Sequence, residues 1–120
     1  MNKATLVLGA STNEERYSYL AVRQLRKHNH SVVAIGNKKG AIGDVSIITE
    51  TPFIENIDTV TLYLKPENQV EYYNYIFSLN PKRIIFNPGT ENDELFDRSI
   101  KNGIEAIEAC TLVMLSTNQY

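Results

Sequence analysis

Hydrophobic residues along this chain fall into short continuous runs that alternate with stretches of helical periodicity. Runs that are apolar at every position are typical of parallel strands buried on both faces. Five such runs predict strands at residues 5–8, 31–35, 58–64, 83–86 and 104–107. Between the first two, Tyr17, Leu20 and Leu25 recur at the spacing of one helix face.

This alternation predicts an α/β domain in which helices cover an open parallel sheet. At 120 residues the chain has room for one domain, spanning residues 1–120. Right-handed crossovers favour a doubly wound, five-stranded sheet in the order 3-2-1-4-5, with helices on both faces in an α/β/α arrangement. Residues 45–48 fit either a short strand or an irregular crossing. Residues 116–120 are predicted to fray.

The composition of the chain mainly excludes certain functions and structural features. A net charge of −2 gives no global basic field for nucleic acid or an anionic membrane. No apolar run approaches the ~20 residues of a membrane span, and the first is too short for a signal peptide. One cysteine excludes an internal disulfide and a multi-cysteine zinc site. We expect a cytoplasmic protein without a metal; its oligomeric state stays open.

Ligands of open parallel sheets bind beyond the carboxyl ends of the strands. The predicted loops at that edge are residues 9–13, 36–43, 63–66, 87–90 and 108–110. His28 and His30 fall at the opposite edge, where a role in surface or helix-end electrostatics is expected. Because no nucleophile and general base come together in these loops, the sequence predicts no catalytic residue.

The first loop, Gly9, Ala10, Ser11, Thr12 and Asn13, has features of a phosphate-binding turn. Gly9 permits a tight turn, helix-start amides can hold a phosphate, and the hydroxyls of Ser11 and Thr12 add donors. Ser11, Thr12 or Asn13 can also cap the next helix. Only the first glycine of the dinucleotide-binding fingerprint is present, so a simple tight turn with a capped helix is the alternative interpretation.

The second loop reads Gly36, Asn37, Lys38, Lys39 and Gly40. An NAD-binding domain carries an acidic residue here, which holds the ribose 2′-hydroxyl. Lysines can instead pair with a phosphate, which favours a ligand with an extra phosphate on its ribose. A solvated basic loop explains the same residues.

Two further loops carry candidate residues. Asn87, Pro88, Gly89 and Thr90 end in a good helix cap, and Gly89 would let part of a ligand approach the backbone. Cys110 lies at the carboxyl edge, but no histidine is near it in sequence, so a structural thiol is expected.

Taken in order, these motifs resemble the small single-domain CoA-binding proteins, which are similar to the CoA-binding domain of the succinyl-CoA synthetase α subunit. The resemblance covers about residues 3–113. The motifs are Leu8-Gly9-Ala10-Ser11, the glycine- and lysine-bearing second loop, Ile42-Gly43-Asp44, Asp58-Thr59-Val60, Asn87-Pro88-Gly89 and Cys110. The resemblance implies a Rossmann-like domain that binds coenzyme A and has no established reaction of its own.

Carried over by position, the resemblance implies that Gly9, Ala10 and Ser11 hold the pyrophosphate and that Lys38 approaches the adenosine 3′-phosphate. The residues implied to flank the pantetheine are Tyr63, Leu64, Lys65, Asn87, Pro88 and Gly89. Cys110 matches a cysteine often seen after the last strand of these proteins. Members often have a Val-Asn-Pro-like run after the second strand, where this chain has Ile35-Gly36-Asn37-Lys38.

The leading functional hypothesis is therefore non-catalytic binding of CoA or an acyl-CoA, as a sensor or carrier. One alternative is a subunit or remnant of a CoA-ligase-type enzyme whose partner supplies the chemistry. Another is an NADP-type nucleotide-binding module. Lys38 and Lys39 cannot distinguish a 3′-phosphate from a 2′-phosphate, so both ligands stay open.

Overall fold

The centre of the molecule is a seven-stranded sheet, in a computed structural model that describes residues 2–120. Its strands lie in the order β3-β4-β2-β1-β5-β6-β7, and all neighbours are parallel except β3 and β4. The strands are β1 (Thr5–Ala10), β2 (Val32–Gly36), β3 (Gly40–Ile42), β4 (Val45–Ile48), β5 (Thr59–Leu62), β6 (Arg83–Phe86) and β7 (Glu105–Glu108).

Helices cover both faces of the sheet because alternate strand residues point to opposite sides. On one face, Val7 of β1 packs in a core with helix residues Val22 and Leu115; on the other, Leu6 packs in a core with Ile76. The helices are α1 (Tyr17–Lys27), α2 (Pro66–Gln69), α3 (Tyr73–Leu79), α4 (Asp93–Lys101) and α5 (Thr111–Ser116), with a 3₁₀ turn at Val70–Tyr72. No helix within residues 2–120 has the length and apolar character needed to cross a membrane.

The predicted α/β class is confirmed, but the predicted strand count and order are wrong in detail. β5 pairs with β1, with Leu8 opposite Leu62, and does not lie beside β2. The place beside β2 belongs to β4, where Ala34 pairs with Ile47. The error comes from the uncertain status of residues 45–48. With β4 counted as the third strand, the order 3-2-1-4-5 describes β4-β2-β1-β5-β6, and β7 extends it.

The last residues, predicted to fray, include one that packs against the amino edge of the sheet. The ring of Tyr120 lies 4.9 Å from the ring of His30 and 4.5 Å from the guanidinium carbon of Arg83. Its hydroxyl hydrogen-bonds with Thr5, and its main-chain oxygen accepts from Lys3 Nζ at 2.6 Å. Cation–π and hydrogen-bond contacts thus connect Tyr120 to the amino edge of the sheet, and fraying of residues 116–120 stays a prediction.

His30 belongs to the same cluster and is only 7% exposed. Its Nδ1 accepts the backbone N–H of Lys3 at 2.9 Å, which requires an unprotonated nitrogen. Burial lowers the pKa of His30, and the nearby His28, Lys3 and Arg83 lower it further. The folded protein therefore favours the neutral imidazole.

This lowered pKa predicts that the protein loses stability on acidification. Below the ordinary histidine pKa of about 6.5, the unfolded chain binds more protons than the folded chain, so the free energy of unfolding falls. We expect His30→Asn to flatten this loss between about pH 7 and pH 5. Urea denaturation across this range measures the slope. His28→Asn, at an exposed position, is the matched control; equal slopes for wild type and His30→Asn would contradict the prediction.

Candidate functional site

A cleft of about 470 Å³ opens at the carboxyl ends of β1, β2 and β5. This volume falls within the range of about 300–1,000 Å³ that is usual for small-molecule sites. β2 and β5 lie on opposite sides of β1, so the cleft lies where the strand order reverses, the usual ligand position in doubly wound sheets.

The structure brings together most of the predicted site residues. Those that line the cleft are Gly9, Ala10, Ser11, Thr12, Gly36, Asn37, Lys38, Tyr63, Leu64 and Lys65. Those that do not line it are Asn13, Lys39, Asn87, Pro88, Gly89 and Cys110. Three lining residues were not predicted: Arg16, Asn68 and Tyr72. Ligand contact by any of these residues stays a prediction.

Close backbone approaches at two glycines give the cleft its shape. The register of β1 shifts after Leu8, so that Ala10 pairs with Gly36. A Cβ on Gly36 would lie 2.2 Å from the carbonyl oxygen of Ala10. Gly9 adopts a φ of +100°, and a Cβ there would lie 3.0 Å from the carbonyl group of Tyr63. Side chains at these positions would push apart the three strand ends that form the cleft floor.

The second loop rests on the first. A Cβ on Gly40 would lie 2.6 Å from Cγ2 of Thr12. The two lysines of this loop separate: Lys38 lines the cleft, whereas Nζ of Lys39 lies 3.9 Å from the carboxylate of Glu50, outside it. The adjacent lysines are therefore not equivalent.

The first loop is longer than the sequence predicts, because α1 begins at Tyr17 and none of the three predicted caps bonds to it. Ser11 Oγ accepts the N–H of Asn13 at 3.1 Å, and Asn13 Oδ1 accepts the N–H of Glu15 at 3.0 Å. These side chains brace a turn before the helix. The turn places Arg16 at the rim of the cleft. The sequence analysis missed this placement because it predicts an earlier start for the helix.

The cleft is cationic. Arg16, Lys38 and Lys65 line it, and within residues 2–120 none of the three forms a salt bridge. No acidic side chain of the described residues lines the cleft. Cations beside glycine backbone amides and hydroxyl groups are suited to holding phosphates.

Two tyrosines form part of the wall. Burial raises the pKa of Tyr63 to about 12, although hydrogen bonds with Thr111 and Thr61 oppose the shift. Burial also raises the pKa of Tyr72, with a smaller contribution from Glu71. Both phenols are therefore protonated and neutral near pH 7.

Asn87 is 2% exposed, and its side chain is engaged inside the protein. Nδ2 donates to Thr61 Oγ1 at 2.7 Å and to the carbonyl of Leu62 at 2.8 Å, while Oδ1 accepts the N–H of Thr111 at 2.9 Å. Asn87 thus joins β5 to the start of α5, where half-buried Cys110 is the preceding residue. This structural use explains why Asn87 does not line the cleft.

Gln69, which the sequence analysis missed, joins two loops at the carboxyl edge. It is fully buried, and its Nε2 donates at 2.8 Å to the carbonyls of both Leu64 and Thr90. Its Oε1 accepts from Asn92 Nδ2 at 2.9 Å. A glutamine on a predicted helix is ordinarily exposed, so no pattern in the sequence signals this role.

The doubly wound fold and its cleft define a class of small Rossmann-like α/β domains with a ligand site at the topological switch point. A family model described as "CoA binding domain" matches residues 3–116, and the chain belongs to this family. No curated protein matches the chain significantly.

Solved structures share the fold. A crystal structure of an uncharacterized protein is 52% identical, covers 100% of this chain and 99% of its own, and superposes with a TM-score of 0.97. A hypothetical protein from Pyrococcus horikoshii OT3 is 20% identical, with a TM-score of 0.87 and coverage of 97% and 83%. A Thermus thermophilus protein, cell-free ID.343, is 16% identical, with a TM-score of 0.87 and coverage of 99% and 91%. The last two show the fold alone.

The contact between Gly36 and Ala10 leads to a stability prediction. Gly36→Ala forces a methyl group against a carbonyl oxygen, and we expect a loss of about 3 kcal/mol, the upper part of the range for overpacking. Gly43→Ala is the matched control: its φ is +59° and the nearest atom to the new Cβ is 3.7 Å away. That change costs about 1 kcal/mol for the left-handed backbone alone. Urea denaturation compares the two, and equal losses would refute the steric explanation.

Proposed function

We propose that this protein binds coenzyme A or an acyl-CoA without catalysing a reaction of its own, as a sensor or carrier. The observation that carries the proposal is the cleft at the switch point, lined by Arg16, Lys38 and Lys65 and by no described acidic residue. Phosphates supply the negative charge of CoA, so the cleft and the ligand are complementary. Membership of the CoA-binding domain family supports this choice of ligand.

In this proposal the diphosphate lies over Gly9, Ala10 and Ser11. Gly9 presents no side chain between the backbone and the ligand, and a phosphate can therefore approach closely. The Ser11 oxygen accepts the N–H of Asn13, which leaves the hydroxyl hydrogen able to donate toward the cleft. The 3′-phosphate pairs with Lys38, at the cleft end of the second loop.

Lys38 then determines the preference for the 3′-phosphate. A charge-assisted contact contributes about 1.5–3 kcal/mol when partly desolvated, and a tenfold affinity change corresponds to about 1.4 kcal/mol. We expect wild type to bind CoA at least about tenfold more tightly than dephospho-CoA. Lys38→Ala should reduce this preference. Lys39→Ala, which removes the neighbouring lysine outside the cleft, should retain it. Titration calorimetry of both ligands against the three proteins measures the effect.

The outcomes separate the hypotheses. Equal affinity of wild type for CoA and dephospho-CoA would mean that Lys38 is only a solvated surface residue. Equal effects of Lys38→Ala and Lys39→Ala would contradict the distinction between the two lysines. Failure to bind either ligand would refute the CoA proposal. An NADP titration then tests the alternative in which the cations hold a 2′-phosphate.

A further inference from the structure

We infer that the cleft recognises only the nucleotide half of CoA and leaves the pantetheine arm, with its thiol or acyl group, outside. This departs from the resemblance, which implies that the cleft residues Tyr63, Leu64 and Lys65 flank the arm. This inference rests on the proposed function and specifies the ligand class. That class would be CoA thioesters irrespective of their acyl group, together with adenosine 3′,5′-bisphosphate.

The first support is the boundary of the cleft beyond β5. Gln69 links the carbonyl of Leu64 to that of Thr90, at 2.8 Å each, and thereby fastens the loop after β5 to the loop after β6. Leu64 lines the cleft, whereas Thr90 is buried and does not line it. The two loops are therefore held together on this side of the cleft.

The second support is that two amide side chains behind this boundary, those of Gln69 and Asn87, have their hydrogen-bonding groups engaged within the protein. The pantetheine arm contains two amide groups, which need hydrogen-bond partners if they are buried. Each of the amides of Gln69 and Asn87 already donates two hydrogen bonds and accepts one within the protein. Neither has an N–H left to offer a buried arm.

The third support is the placement of charge. Arg16, Lys38 and Lys65 all line the cleft, and they come from the loops after β1, β2 and β5. The phosphates of CoA lie on its nucleotide half, whereas the pantetheine arm is uncharged apart from the ionisable thiol. Cations therefore attract the nucleotide half and give the arm no matching electrostatic stabilisation.

Titration calorimetry with ligand fragments tests the inference. We expect adenosine 3′,5′-bisphosphate to bind within about tenfold of CoA, and CoA, acetyl-CoA and a long-chain acyl-CoA to bind within about threefold of one another. 4′-Phosphopantetheine should show no binding at millimolar concentration. Lys38→Ala should weaken CoA and adenosine 3′,5′-bisphosphate by the same factor, because both carry the phosphate that this lysine contacts. Lys39→Ala is the matched control and should weaken neither.

Failure of the inference is distinguishable from failure of the proposed function. If CoA binds but the bisphosphate is weaker by more than about tenfold, or the acyl group changes affinity by more than about tenfold, the arm contributes to recognition and the inference is wrong. Binding of 4′-phosphopantetheine at the affinity of CoA would also overturn it. If CoA itself does not bind, the proposed function fails and the inference fails with it.

Discussion

The close approach of Gly36 to the backbone of Ala10 is the constraint on which the cleft depends. Because a Cβ at Gly36 would lie 2.2 Å from the Ala10 carbonyl oxygen, only glycine lets β2 end against the shifted register of β1. Gly40 then lets the following loop rest on Thr12, and Lys38 lies between these two contacts in the chain. The position of the Lys38 side chain at the rim of the cleft thus follows from the close contacts at Gly36 and Gly40.

A second constraint is the division of polar groups at the carboxyl edge of the sheet. Behind the cleft, the amides of Gln69 and Asn87 are saturated by hydrogen bonds within the protein, which stabilise the loops around β5 and β6. In the cleft itself, Arg16 and Lys38 have no salt-bridge partner among the described residues. The buried amides stabilise the loops behind the cleft, and the exposed cations determine the charge of the cleft surface that faces a ligand. This local field exists although the whole chain carries a net charge of −2.

Much of the fold can be predicted from the sequence, because buried parallel strands appear as continuous apolar runs. β4 is hard to predict because it has four residues and pairs with β2 at only two positions, Ala34–Ile47 and Ile35–Ile48. The start of α1 was misplaced because Ser11 and Asn13 can bond locally in a turn as well as at a cap. The residues next to Lys38 and Lys39 in sequence do not distinguish the two lysines. Glu50 comes close to Lys39 only because β3 and β4 form an antiparallel hairpin.

The two edges of the sheet respond differently to pH. At the amino edge, burial lowers the pKa of His30, so acidification acts on the packing around Arg83 and Tyr120. At the carboxyl edge, burial raises the pKa values of the cleft residues Tyr63 and Tyr72, which keeps their phenols neutral. Protonation of His30 therefore destabilises the fold without adding charge at the cleft. Because the sheet separates the histidine from the cations, the stability of the fold and the charge of the site can vary independently.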